Sequence, residues 1–213
     1  MTQNKIKAVI FDVGGVLVLG HPAKKKICDH VNIGVHHTIA NHLNISIDQW
    51  FDSIDTIYVK AFEGKLSKQQ TLELMARNLK TNPKKLERLW IQSYRRCFSQ
   101  NVELYEFAYN LKKQGYKITI LSDQWSVSKE AVMLKRYTNK FDVIVSSDEI
   151  GIRKPNPEIY NITLKRLKIN PSEVLFINNQ IWNIQSAQKL GINTILYQNN
   201  QQLFKHLAKL DIK

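Results

Sequence analysis

Cysteine is nearly absent from this chain. Cys28 and Cys97 stand far apart and form no CxxC pair. A disulfide framework or a cysteine metal site is therefore not expected, and the chain reads as a cytoplasmic protein. An uninterrupted apolar run approaching the ~20 residues of a membrane span is also lacking. The nearest to one, Ala8 to Leu19, is broken by Asp12 and two glycines. Acidic residues are scarce, 18 against 31 lysines and arginines, for a net charge of +13. That excess favours anionic ligands through long-range attraction. The basic residues are nevertheless spread along the chain, the longest run is Lys24 to Lys26, and no nucleic-acid-binding motif accompanies them, so nucleic acid is not the expected partner. Of the six histidines, His36, His37 and His42 are neighbours, but His37 and His42 are five apart and miss the i, i+4 face of paired metal ligands. There are no internal repeats and no low-complexity segments.

What remains is a chain of 213 residues, 43% hydrophobic and 23% charged, long enough for one well-buried α/β domain with a small insert. Its organising stretch is Lys7 to Leu19, KAVIFDVGGVLVL. Ala8 to Phe11 form an apolar run with no polar face, as in a strand buried on both sides of a parallel sheet. Asp12 ends the run, and Gly14 and Gly15 follow, where the absence of a Cβ lets the backbone turn close to a ligand. Ligands of open α/β sheets bind at such strand ends. The plainer reading of the same residues is an aspartate capping a loop and two glycines making a turn.

After Leu19 the pattern becomes helical for about 75 residues, too long for an ordinary connection. Residues 22–98 are expected to form an inserted helical cap, with 1–21 and 99–213 as the core. Ser46 with Gln49 and Ser67 with Gln70 read as capping boxes, and Pro83 suits a first helical turn. From Asn101 the expected order is helix 102–114, strand 116–121, helix 126–137 and strand 142–146. Helix 157–168, strand 173–177, helix 182–190 and strand 193–197 follow. This alternation predicts an α/β, Rossmann-like, three-layer parallel sheet. Asp12, Ser122, Lys154 and Asn178 would then meet at one edge.

Four stretches in this order resemble the motifs of the haloacid dehalogenase (HAD) superfamily. FDVGGVLV resembles the first, ILSDQ the second and RKPNPEIY the third, while VLFINNQIWNIQSAQKLGI stands where the fourth belongs. The resemblance covers the whole chain and points to the sugar-phosphate phosphatase-like branch. It implies a phosphatase acting on a small phosphorylated metabolite, with Asp12 as nucleophile forming an aspartyl-phosphate. Lys154 would neutralise the reacting groups, and Ser122 with Asp123 would contact the substrate. A carboxylate approaching a phosphate to ~3.3 Å meets roughly 5 kcal/mol of repulsion per charge pair at an effective dielectric of about 20. A cation such as Lys154 must offset it.

The resemblance further implies Mg²⁺, held by Asp12, the Gly14 carbonyl and Asn178. Two departures from the family pattern bear on this. Gly14 occupies the position of a second aspartate that serves as general acid and base, and Asn178-Asn179 replace an Asp-Asp pair. The metal site is expected to be weakened, with the Asn178 side-chain oxygen as at best a neutral ligand. The alternative function is a catalytically impaired relative that binds a phosphorylated ligand or partner without turnover.

Overall fold

The computed structural model describes residues 5–20 and 34–212. Residues 22–33, which begin the expected insert and include Lys24 to Lys26 and Cys28, lie outside the described residues. The chain opens with β1 (Ala8–Phe11) and a short β2 (Val18–Gly20). Four helices follow: α1 (Val35–Leu43), α2 (Ile47–Phe62), α3 (Lys68–Asn78) and α4 (Pro83–Cys97). After β3 (Phe98–Gln100) come α5 (Val102–Lys113), β4 (Lys117–Ser122), the short helices α6 (Lys129–Val132) and α7 (Lys135–Thr138), and β5 (Val143–Ser146). The last part comprises α8 (Ser147–Ile150), α9 (Pro157–Leu167), β6 (Val174–Asn178), α10 (Ile181–Lys189), β7 (Asn193–Leu196) and α11 (Asn200–Lys209).

Five strands make one parallel sheet in the order β5-β4-β1-β6-β7. β1 lies at its centre, which is why its sequence carries no polar face. Its side chains alternate between the two helix layers. Val9 and Phe11 enter a cluster with Leu104, Leu111 and Leu207, whereas Ala8 and Ile10 pack with Ile159, Tyr160 and Ile184 on the opposite face. The fold is thus the expected Rossmann-like α/β sandwich. Phe11 registers with Ile120 and Ile177, so Asp12, Ser122 and Asn178 emerge together at the carboxyl edge.

Among the described residues from 34 to 98, none belongs to the five-stranded sheet. Both capping boxes form: Ser46 with Gln49 opens α2, and Ser67 with Gln70 opens α3. Asn82 accepts from the backbone N–H groups of Lys84 and Lys85 ahead of Pro83. The helices bury Trp50, Met75, Leu86 and Trp90 in a cluster of their own, joined by Trp125 and Val127 from beyond β4. His36 belongs to that packing, since Trp50 Nε1 donates to its Nδ1 at 2.9 Å. Burial, followed by the neighbouring His37, lowers the His36 pKa. A small antiparallel ribbon joins the two sides of the helical segment, pairing Leu19 of β2 with Ser99 of β3.

One expected element is broken. In place of a single helix over 126–137 there are α6 and α7, separated at Met133 and Leu134. The cause lies in the apolar residues on either side. Trp125 and Val127 are committed to the helical cluster and Val132 and Met133 to the sheet cluster, and one straight helix does not serve both. The helix α11, which buries Leu203 and Leu207, is a further element that the strand-helix pattern up to residue 197 does not include. No helix among the described residues is long and apolar enough to cross a membrane.

Candidate active site

Asp12 sits one residue past β1 and is 7% exposed. Its Oδ1 accepts hydrogen bonds from the Val13 backbone N–H at 2.7 Å and from Lys154 Nζ at 2.8 Å. Its Oδ2 accepts from Asn178 Nδ2 at 2.7 Å. Lys154 is equally buried, and its ammonium also donates to the Leu121 carbonyl at 3.1 Å. The two charges, 142 positions apart in sequence, are each other's compensation. Removing one partner of such a buried pair costs about 3–5 kcal/mol, because the other is left uncompensated.

Two anchors fix the loop that carries Lys154. Asn156 caps α9 by accepting from the Glu158 N–H at 2.9 Å, with Pro157 in the first turn, as the spacing predicts. The Lys154 backbone N–H donates to Asp123 Oδ1 at 3.0 Å. Asp123 therefore holds the loop as well as facing the site. Burial raises its carboxyl above the ordinary range, opposed by the charge of Lys154.

Ser122 ends β4 and is fully buried. Its hydroxyl accepts from Gln124 Nε2 at 2.7 Å, and the Gln124 backbone N–H donates to Ser147 Oγ at 3.0 Å. Gln124 thus orients the serine. Sequence reasoning passed over it, although its place two residues after the serine on the same loop was the available signal.

The fourth stretch differs from expectation. Asn178 lies beside Asp12, but its oxygen is not turned toward the carboxylate. Asn178 Oδ1 accepts from the Gln180 backbone N–H at 2.7 Å and from Asn183 Nδ2 at 3.3 Å. A backbone N–H only donates, so the amide orientation is determined: oxygen toward Gln180, nitrogen toward Asp12. This corrects the expectation of Asn178 as a neutral oxygen ligand. The Asn179 and Asn183 side-chain oxygens are buried without a partner, yet both are neutral. Among the described residues there is no group of three His, Cys, Asp or Glu suited to a metal ion. Mg²⁺ requires several oxygen ligands, preferably anionic, in octahedral array. A single carboxylate already accepting three hydrogen bonds, with an N–H donor facing it, does not fit that ion in this arrangement.

The two glycines also separate. Gly15 has φ +77°, and a Cβ there would stand 2.1 Å from Asn179 Nδ2, so the turn requires glycine. Gly14 is exposed, pairs with Val18 in a single bridge, and has no atom within 4 Å of an added Cβ. Of the two, Gly15 is the position at which the protein's own atoms leave no room for a Cβ.

A family model described as haloacid dehalogenase-like hydrolase matches residues 6–191. The bifunctional epoxide hydrolase 2 of Mus musculus is 32% identical over 117 residues, which cover 53% of this chain and 21% of that protein. The chain thus corresponds to only about a fifth of that relative's length. The D-ribitol-5-phosphate phosphatase of Bacteroides thetaiotaomicron is 27% identical over 206 residues, covering 91% of this chain and 93% of that enzyme. Among solved structures, the magnesium complex of the HAD family enzyme BT-2542 from Bacteroides thetaiotaomicron superposes with a TM-score of 0.75 at 20% identity, covering 95% of this chain and 100% of that one. With the family match running from ahead of β1 to the end of α10, and the same fold in a solved HAD enzyme, the chain belongs to the haloacid dehalogenase-like hydrolases.

Proposed function

We propose that the protein hydrolyses a small phosphorylated metabolite through an aspartyl-phosphate at Asp12. An Asp12 carboxylate oxygen attacks phosphorus, the bond from phosphorus to the ester oxygen breaks, and water later cleaves the acyl phosphate. Lys154 offsets the repulsion between carboxylate and phosphate, Ser122 donates to a phosphate oxygen, and Asp123 keeps the Lys154 loop against the site. Residues 22–98 act as a cap over the carboxyl edge of a core made of 1–21 and 99–213, excluding water during reaction. A cytoplasmic setting is part of the same reading.

The observation that carries the proposal is the buried contact of Lys154 Nζ with Asp12 Oδ1 at 2.8 Å. Likeness to a D-ribitol-5-phosphate phosphatase over nearly the whole chain supports a phosphorylated substrate. Gly14 brings no proton donor, a loss that typically costs about 10²- to 10⁴-fold. Esters with good leaving groups are therefore favoured. The test is release of p-nitrophenol from p-nitrophenyl phosphate by the wild type and by Asp12→Asn. A slow rate in the wild type that disappears in the variant supports the proposal, and equal rates refute it.

A second reading is favoured by one specific contact, the Asn178 Nδ2 hydrogen bond to Asp12 Oδ2 at 2.7 Å. The HAD family enzyme BT-2542 is crystallised with magnesium, whereas in this chain an N–H donor of Asn178 faces Asp12, which supports the reading of a weakened metal site. The protein would then bind a phosphorylated ligand without turnover. Calorimetric binding of inorganic phosphate, with no p-nitrophenol released, distinguishes this reading from the first.

A further inference from the structure

A cavity of about 130 Å³ begins immediately beside the nucleophile loop. Val13 and Gly14 form one wall, and Phe62 of α2, Tyr94 of α4 and Phe98 of β3 form another. The segment after β4 supplies Asp123, Trp125 and Ser128. The aromatic walls are packed against one another: Phe62 meets Trp125 edge-on at 5.1 Å, and Tyr94 stacks on Phe98 at 5.3 Å. Trp125 is 4% exposed and the helical cluster holds it in place.

For a protein with a net charge of +13, the lining is unexpected, since it includes no lysine, arginine or histidine. Its polar groups are largely engaged by the protein itself. Gln124 donates its side-chain N–H to Ser122 and its backbone N–H to Ser147. Ser128 Oγ donates to the Trp125 carbonyl at 3.5 Å. Burial pushes the Tyr94 hydroxyl up to about 12, against a hydrogen bond with Ser128 that lowers it. Asp123 offers the lining a carboxylate acceptor, since only its Oδ1 is bound, by the Lys154 N–H.

We infer that this cavity receives the alcohol half of the substrate, and that the alcohol is apolar, about the size of a phenyl ring or a short branched alkyl group, with at most one polar substituent. The inference rests on the proposed anion site at Asp12 and adds its substrate class. An apolar cavity of about 150 Å³ takes up benzene, and this one, at about 130 Å³, is of comparable size. A polyol does not suit these walls. Its hydroxyl groups would leave water for aromatic faces without gaining partners, and each unpaired one weakens binding.

The experiment is calorimetry on the full chain with three phosphate mimics that cannot be hydrolysed or need not be: inorganic phosphate, benzylphosphonate and 2,3-dihydroxypropylphosphonate. Benzylphosphonate is expected to bind at least about tenfold more tightly than inorganic phosphate, and the dihydroxypropyl compound no more tightly than inorganic phosphate. Phe62→Ala should bring the ratio of benzylphosphonate to phosphate affinity toward one, and Phe62→Leu, which keeps an apolar wall, should retain part of it. Equal or stronger binding of the dihydroxypropyl compound, with inorganic phosphate still bound, overturns the apolar subsite and leaves the anion site standing. Absence of binding by all three compounds overturns the anion site and this inference with it.

Discussion

Gly14 and Gly15 stand side by side and answer to different constraints. At Gly15 the left-handed backbone and the Asn179 side chain leave no room for a Cβ. Gly15→Ala is expected to cost roughly 1–3 kcal/mol in chemical denaturation. At Gly14 nothing obstructs a side chain. Gly14→Asp should change stability by only about 0.5 kcal/mol, and by restoring a proton donor it should raise turnover of esters with poor leaving groups more than that of p-nitrophenyl phosphate. Asp123 gives a pH-dependent prediction. Burial raises its carboxyl above the ordinary value of 3.8, so the folded chain keeps the proton to higher pH than the unfolded chain. The associated stability is complete below that ordinary value and is lost as pH rises through the raised one. Asp123→Asn carries no such charge, so its melting temperature relative to wild type should increase as pH rises from the ordinary value through the raised one. A gain that does not change with pH would contradict this. The identity of Asp12, Lys154 and Asn178 as neighbours was legible in the sequence. The direction of the Asn178 amide was not, because it is set by a backbone N–H at Gln180 that becomes visible only once the loop is folded.

Helix boundaries were legible where side chains cap them and obscure where packing decides. Ser46, Ser67 and Asn156 lie in local patterns that satisfy the first free N–H groups of a helix, and each pattern forms as read. The break between α6 and α7 has no such local mark, since it follows from two apolar clusters pulling neighbouring residues apart. The ribbon of β2 with β3 joins residues about 80 positions apart, each contributing three residues, too short to register as strands by alternation. Two substitutions separate these kinds of constraint. Ser67→Ala removes one cap and should cost about 1 kcal/mol. Gly64→Ala should cost more, because Gly64 closes α2 at φ +61° and a Cβ would stand 2.0 Å from the Asp148 backbone carbonyl. Thermal denaturation of the two variants is the check, and a greater loss in Ser67→Ala would contradict the close approach of Gly64 to Asp148.

Over the whole molecule, a central strand flanked by parallel neighbours on both sides collects distant residues at one edge. Ser122 and Asn178 end the strands on either side of β1, and Asp12 follows β1 directly. Such a fold was legible from alternation of strand and helix, whereas the chemistry at the edge depends on which atoms face one another. There the amide of Asn178 donates to the same carboxylate that the sequence had marked for a metal. The chain is therefore expected to bind Mg²⁺ weakly, and Asn178→Asp, which places a second carboxylate beside Asp12, should tighten binding at least about tenfold. Calorimetric titration of wild type and Asn178→Asp with Mg²⁺ reads this directly. Weak binding in the wild type and clear binding in the variant is the predicted result. Tight binding of Mg²⁺ by the wild type would contradict it.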